Sequence, residues 1–287
     1  MNPLDVLEKA QINQYAIGQF NVSTDEQITA VIEAAKNLNS PIIIGTSEGE
    51  RDFIGIEQIV ALVETWQKDA NLPIILNADH CKTLESAKQV IDAGYNGIHF
   101  DGSELSFNKN IEITSRIVEY AKSVNKNIIV EGELGYLPGG SDIHGEIKIN
   151  LKDLTVPEEA KDFVQKTKVD SLAIAVGNIH GMRANALDPH LYLERIKDIK
   201  KAVPNVFLVL HGGSGTPEND LREAIKLGIV KININTEIRL AYREALKNFL
   251  EENLSEVKTY KILFPAMEAV KKVVENKIIL FGSQNRA

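Results

Sequence analysis

Cysteine is nearly absent. Cys81 is the single one in 287 residues, so no intrachain disulfide can form, and this usage fits a reducing cytoplasm. Long apolar runs are missing too; none approaches the ~20 residues that a membrane-spanning helix requires, which predicts no membrane partner. Positive charge is in deficit, with 32 Lys and Arg against 40 Asp and Glu and a formal net charge of −8. That balance gives no general attraction to nucleic acid or anionic lipid, while leaving room for a local phosphate pocket. The opening MNPLDVLEKA has no basic stretch followed by an apolar core, so no secretory signal is predicted. No linker, low-complexity tract or charge block divides the chain. Two average domains would fit the length, but so does one (β/α)₈ barrel of ~250 residues with extra C-terminal helices. We expect the latter, a single catalytic domain over 1–287.

What is present supports that expectation. Eight short apolar or β-branched runs recur at 16–22, 41–47, 73–80, 97–103, 128–135, 171–180, 206–213 and 230–236. Several are continuous apolar segments, as strands buried on both faces should be. Between them lie apolar stripes at helical spacing, such as Ile28, Val31, Ile32 and Ala35, or Leu221, Ala224, Ile225 and Leu227. Alternating strand and helix implies a parallel sheet with crossover helices. An open doubly wound sheet usually carries a glycine fingerprint in its first strand–helix turn. Here that turn is Asn21-Val-Ser-Thr-Asp25, without glycine. The stretch 136–150 is long and polar and follows the fifth strand, so it is expected at the catalytic rim, where long loops often serve as lids. Helices are expected at 237–253 and 265–276.

Four predicted strands end on metal-binding residue types: 73–80 on His80, 128–133 on Glu133, 171–180 on His180 and 206–211 on His211. A lone strand-end histidine is more often structural. Three on one rim match a catalytic zinc arrangement, since structural zinc sites are closed and usually cysteine-rich. His99, inside the fourth strand, His144 in the long loop and His190 in a polar turn are expected to be structural or surface residues. Glu131 and Glu133 alternate, which sends both to one face. If that face is the barrel interior, they must bind something or suffer desolvation. Strict alternation would send Asp79 and His80 to opposite faces, so both reach the site only if the strand end bends. His211-Gly-Gly-Ser-Gly215 and Asn233-Ile-Asn-Thr-Glu237 follow the last two strands, where barrel enzymes commonly hold phosphate on free amides.

With those residues in view, the chain resembles the class II, metal-dependent ketose-bisphosphate aldolases, the fructose- or tagatose-bisphosphate enzymes. The resemblance runs from about Gln19 to Asn285. It is carried by Ala78-Asp-His80, Phe100-Asp101, Glu131-Gly-Glu-Leu-Gly135, Gly177-Asn-Ile-His-Gly181, His211-Gly-Gly-Ser-Gly215 and Lys231-Ile-Asn-Ile-Asn-Thr-Glu237. It implies His80, His180 and His211 as zinc ligands and Asp79 as the acid/base carboxylate. Asp101 and Glu133 match residues that hold a second divalent or displaced metal. Gly181, Gly212, Gly213, Ser214, Asn233, Asn235 and Thr236 match the surface for the dihydroxyacetone-phosphate half. Ser47 matches a contact to the aldehyde-phosphate half, and Asn21 a polar residue at the rim. Backbone around Ile179, Gly181 and Gly212 matches a monovalent-cation site for Na⁺ or K⁺. Relatives imply a homodimer or homotetramer.

Three departures from the family pattern stand out. Asn77 replaces a histidine found in many relatives. Asp142, one methylene shorter, stands where a loop glutamate handles the proton on the dihydroxyacetone carbon. The run Asp101-Gly-Ser-Glu-Leu-Ser106 differs from an Asp-Ala-Ser-His-like run. The implied reaction is reversible cleavage of fructose 1,6-bisphosphate between C3 and C4. Asn235 leans toward the fructose rather than the tagatose enzymes, which often have a small residue there. A Schiff-base aldolase would need an active-site lysine; the sixth strand has none, and Lys231 is expected at the start of the eighth, at the opposite end of the barrel. A metal-dependent sugar-phosphate isomerase and a non-catalytic relative that binds or senses a sugar phosphate are the remaining alternatives.

Overall fold

In the computed structural model, which describes residues 2–145, 147–184 and 189–287, eight parallel strands close on themselves. They are β1 (Ile17–Asn21), β2 (Ile42–Thr46), β3 (Ile74–Cys81), β4 (Gly97–Phe100), β5 (Ile129–Leu134), β6 (Ser171–Ile174), β7 (Phe207–Leu210) and β8 (Ile229–Ile234). Each pairs with its neighbours in sequence, and β8 closes onto β1 with Ile17 opposite Lys231. The fold is therefore the expected (β/α)₈ barrel. Two-residue alternation divides each strand between two environments. Ile42 and Ile44 join the outer core with Ile28 and Ile32 of the helix Asp25–Leu38, while Ile43 joins the inner one.

Local chemistry sets where the crossover helices start and stop. Thr24 Oγ1 accepts from the Gln27 amide at the first turn, and Thr83 and Ser86 cap each other at the start of Leu84–Ala93. Asn39 (φ 46°) and Gly94 (φ 110°) end those helices in the left-handed region.

The ends of the chain differ most from expectation. A helix at Pro3–Ile12, capped by Asn2, closes the N-terminal mouth of the barrel. Its Val6, Leu7 and Ala10 pack with Ile17, Ile43, Ile75, Ile129 and Val230. At the other end, helices span Thr236–Glu252 and Thr259–Phe281. Pro265 was a natural place to begin the last one, yet it lies inside it. The missing amide forfeits one ladder bond. Burial of Ala266, Val270, Val274 and Ile278 along one face carries the helix through. Among the described residues no helix is long and apolar enough to cross a membrane.

Candidate active site

The site begins with a fault in β3. Ala78 pairs with Ile98 but Cys81 with Phe100, so three residues advance against two. His80 absorbs the extra residue with φ 52°, a conformation unusual for anything but glycine. The bulge breaks the alternation, and Asp79 and His80 both line the same cleft. Arg51, buried behind them, fixes the fault by donating to the carbonyls of Thr46 and Asp79 and by contacting Cys81 Sγ.

Each of two histidines has one ring nitrogen anchored on a carboxylate. His80 Nδ1 is 2.8 Å from Asp101 Oδ2, and His211 Nε2 is 2.9 Å from Glu131 Oε1. The other two nitrogens, His80 Nε2 and His211 Nδ1, face one another at 3.3 Å. His180 joins them with its ring 5.0 Å from that of His80 and 6.1 Å from that of His211. Its Nε2 is buried and, among the described residues, has no partner. Burial and the neighbouring His80 drive its pKa down to about 3, keeping the imidazole neutral and its lone pair available.

His180 does not end a strand. β6 stops at Ile174, because Gly177 (φ 102°) turns the chain and Asn178 Oδ1 takes the Val176 amide. Asn178 Nδ2 donates to the His211 carbonyl at 2.8 Å, which ties this loop to the next strand.

His99 is structural, as expected, but it stands against the histidine cluster. It is fully buried, its ring 4.5 Å from that of His211 and 4.6 Å from that of His80. Its Nδ1 accepts from the His80 amide at 3.1 Å and so braces the bulge. Its Nε2 lies 2.8 Å from Glu133 Oε2, but the two are out of line for a hydrogen bond. Burial opposes a charge on His99; Asp79 and Glu133 outweigh it and push the pKa upward, while the His80 amide favours the neutral ring. Donor atoms of Asp79, His80, His99 and His211 lie within 4.8 Å of one another, as do those of His80, Asp101 and Glu133. Lys82 and Ser103 anchor Asp101 from outside.

Asp79 accepts from Asn21 Nδ2 at 3.0 Å and from Asn233 Nδ2 at 3.2 Å. Burial alone would raise its pKa; the imidazoles of His80, His99 and His211 reverse that and hold the carboxyl well below the usual range. Around this group lie Gly181, Gly212, Ser214, Asn235 and Thr236, which with Asn21, His180, His211, Asn233 and Ser141 complete the cleft. Glycine is required at 212 (φ 61°), where a Cβ would stand 1.8 Å from the Ile179 carbonyl oxygen. Ser214 Oγ accepts from the amides of Asn235 and Glu237 as the helix Thr236–Glu252 opens. Asn233 Oδ1 and Asn235 Oδ1 are buried and unpartnered among the described residues.

Other expected site residues lie off the cleft. Gly213 is buried and donates to the Asn233 carbonyl. Ser47 caps the helix Glu48–Ile54. Asp142 is exposed and does not line the cleft, although its neighbour Ser141 does. The loop carrying both is joined to the one after His180 by a parallel ladder of Ile143–His144 with Met182–Arg183.

Sequence reasoning missed three contributors. Glu50 is buried and takes Asn21 Nδ2, the Ser47 amide and Arg239. Arg239, half-exposed, also donates to the Ser141 carbonyl at 3.3 Å. Lys231 lies near the start of β8 and outside the cleft, as expected, yet its Nζ is 2.8 Å from Glu131 Oε2. The Ser47-x-x-Glu50 spacing of a capping box was the available signal for Glu50.

Three convergent imidazoles, two of them held from behind by carboxylates, fit a catalytic divalent metal. Fold and donor set together define a barrel with a candidate divalent-metal centre at its C-terminal rim. A family model described as fructose-bisphosphate aldolase class-II matches residues 1–286. The sulfofructosephosphate aldolase of Alkalicoccus urumqiensis is 37% identical over 98% of this chain and 96% of its own. The fructose-bisphosphate aldolase of Staphylococcus epidermidis is 37% identical over 99% and 97%. The crystal structure of the YdjI aldolase from Escherichia coli K12 superposes with a TM-score of 0.84 at 32% identity, covering 100% of this chain and 99% of that one. The chain belongs to the class II fructose-bisphosphate aldolase family, and the enzyme is a lyase.

Proposed function

We propose that this protein is a zinc-dependent aldolase that reversibly cleaves fructose 1,6-bisphosphate to dihydroxyacetone phosphate and glyceraldehyde 3-phosphate. The carrying observation is the convergence of His80, His180 and His211 beside Asp79, with the outward nitrogens of His80 and His211 anchored. His80, His180 and His211 would hold the zinc, which when bound polarises the ketose carbonyl as a Lewis acid. Asp101 and Glu133, with His80, would take a second or displaced divalent metal. The carbonyls around Ile179, Gly181 and Gly212 would suit Na⁺ or K⁺.

Asp79 takes the C4 hydroxyl proton as the C3–C4 bond breaks. Asn21 and Asn233 aim it, and the neighbouring imidazoles keep it ionised. Ser214, Asn235, Thr236 and the amides of Gly181, Gly212 and Gly213 bind the dihydroxyacetone-phosphate half. Thr236 opens a 17-residue helix whose dipole favours an anion there. Ser47 and Arg239 receive the distal anionic group. Asp142 returns a proton to the dihydroxyacetone carbon when its exposed loop folds over the cleft.

The chain works as one catalytic domain, in the cytoplasm, on a sugar bisphosphate, without nucleic acid or membrane. Leu250, Leu254, Val257, Tyr260 and Phe264 form an exposed apolar run, with Leu254 at 91% exposure, that supports a homodimer or homotetramer.

The test is a coupled assay on zinc-loaded protein with fructose 1,6-bisphosphate, tagatose 1,6-bisphosphate and sulfofructose phosphate in parallel. The third is included because of the Alkalicoccus relative, and Arg239 could serve a sulfonate or a phosphate. EDTA-treated protein and His211→Ala are the controls. EDTA-sensitive release of triose phosphate supports the reading, and the rate ratios name the substrate. No cleavage of any of the three, despite bound metal, overturns it.

A further inference from the structure

Two of the most deeply buried charges in the barrel lie directly behind His211. Glu131 and Lys231 have side chains 1% and 4% exposed and meet at 2.8 Å. Such a pair seldom stabilises a fold more than apolar residues of the same size would, so its presence asks for another role. The carboxylate is shared: Oε2 takes Lys231 Nζ, with Ser171 Oγ at 3.4 Å, and Oε1 takes His211 Nε2 at 2.9 Å. The bridge spans β5 and β8 and reaches the residue that follows β7. His80 has a related carboxylate and lysine in Asp101 and Lys82, at 2.8 and 2.6 Å, but there both meet the one oxygen Oδ2. Solvent differs as well, because the Lys82 side chain is 47% exposed. Water can replace Lys82, whereas Lys231 is sealed from solvent.

We propose that Lys231 is a positioning residue for the metal centre: through Glu131 it keeps His211 with Nε2–H turned outward and Nδ1 turned to the ligand cluster. A neutral imidazole has one donor and one acceptor nitrogen, so the acceptor held at Nε2 decides which nitrogen is left for the metal. Lys231 holds one oxygen of Glu131 and thereby aims the other. The inference rests on the metal reading above.

The experiment measures zinc affinity by chelator competition and the visible spectrum of the Co²⁺-substituted protein, neither of which requires turnover. Lys231→Met is expected to weaken metal binding ~10–100-fold, the scale of losing such a supporting partner, and to alter the cobalt bands. Lys82→Met is expected to stay within about fivefold, as for an exposed ion pair. Two double variants guard against a Lys231→Met protein that fails to fold, since both remove the charges together. Glu131→Gln with Lys231→Met keeps a neutral acceptor for His211 and should bind metal nearly as wild type. Glu131→Leu with Lys231→Met removes the acceptor and should bind as weakly as Lys231→Met. Wild-type affinity and spectrum in Lys231→Met, or equal affinity in the two double variants, overturns the proposal. A wild-type protein whose metal binding survives His211→Ala overturns the metal reading, and this inference with it.

Discussion

The two ends of one barrel follow opposite rules. At the N-terminal mouth, Leu7 and Ala10 meet Ile17, Ile43, Ile75 and Ile129, and the packing is apolar. At the C-terminal rim the same strands present buried Asp79, His99, Asp101, Glu131, Glu133 and His211. There the backbone is forced into a left-handed turn at His80, and polar atoms on His180, Asn233 and Asn235 lack protein partners among the described residues. One end minimises free energy; the other withholds hydrogen bonds for a ligand to complete. Local rules are broken where chemistry is done.

Substitutions at the two ends should separate activity from stability. Asp79→Asn is expected to lower kcat/KM by ~10²–10⁴ in the cleavage assay, the scale of a lost general base, with an unchanged far-ultraviolet spectrum. An active Asp79→Asn enzyme would break the assignment. Leu7→Ala should do the reverse, costing ~2–5 kcal/mol in urea unfolding and leaving kcat/KM unaltered. If kcat/KM falls with it, the ends are coupled.

Arg239→Ala tests the rim more finely. A charge-assisted contact to a distal phosphate predicts a KM higher by ~10–100-fold with a much smaller change in kcat. Equal kcat/KM for the variant and the wild type would remove Arg239 from substrate binding. The smallest effect concerns pH. Burial raises the Tyr95 hydroxyl from its ordinary value near 10 to about 12, so the folded state keeps that proton longer than the unfolded chain. Its contribution is therefore complete below pH 10 and lost as pH rises toward 12. Tyr95→Phe should show a shallower decline in melting temperature across that window, against a lower baseline from the lost Thr46 contact. An identical slope would refute it.

Much of the barrel was legible because strands buried on both faces must be apolar, and eight such runs are spaced by helical stripes. The overreach at β6 has a physical cause. Ala175, Val176 and Ile179 are buried like strand residues, but they sit in a turn made by Gly177 and Asn178. Glu131 and Glu133 do share the interior face, as two-residue periodicity required. The bend needed to bring Asp79 and His80 together was also foreseeable as a need. What enforces it was not: Arg51 reaches in from the helix Glu48–Ile54, and His99 acts across strands, where register places it. His99 stands opposite Glu131 on the neighbouring strand, a fact that no single segment contains. Lys231 stays near the start of the last strand and outside the cleft, as expected, but its reach to Glu131 on β5 is again a contact that no single segment contains.

The bulge at His80 limits how portable this centre is. Three histidines and an aspartate grafted onto the strand ends of another barrel would reproduce the donor types but not the step that lets adjacent residues 79 and 80 serve one cleft. A successful transplant must carry a backbone irregularity together with its wedge, the Arg51 guanidinium beneath and the His99 ring beside it. The smallest transferable unit is thus a distorted strand end with its braces, and a set of side chains alone falls short of it.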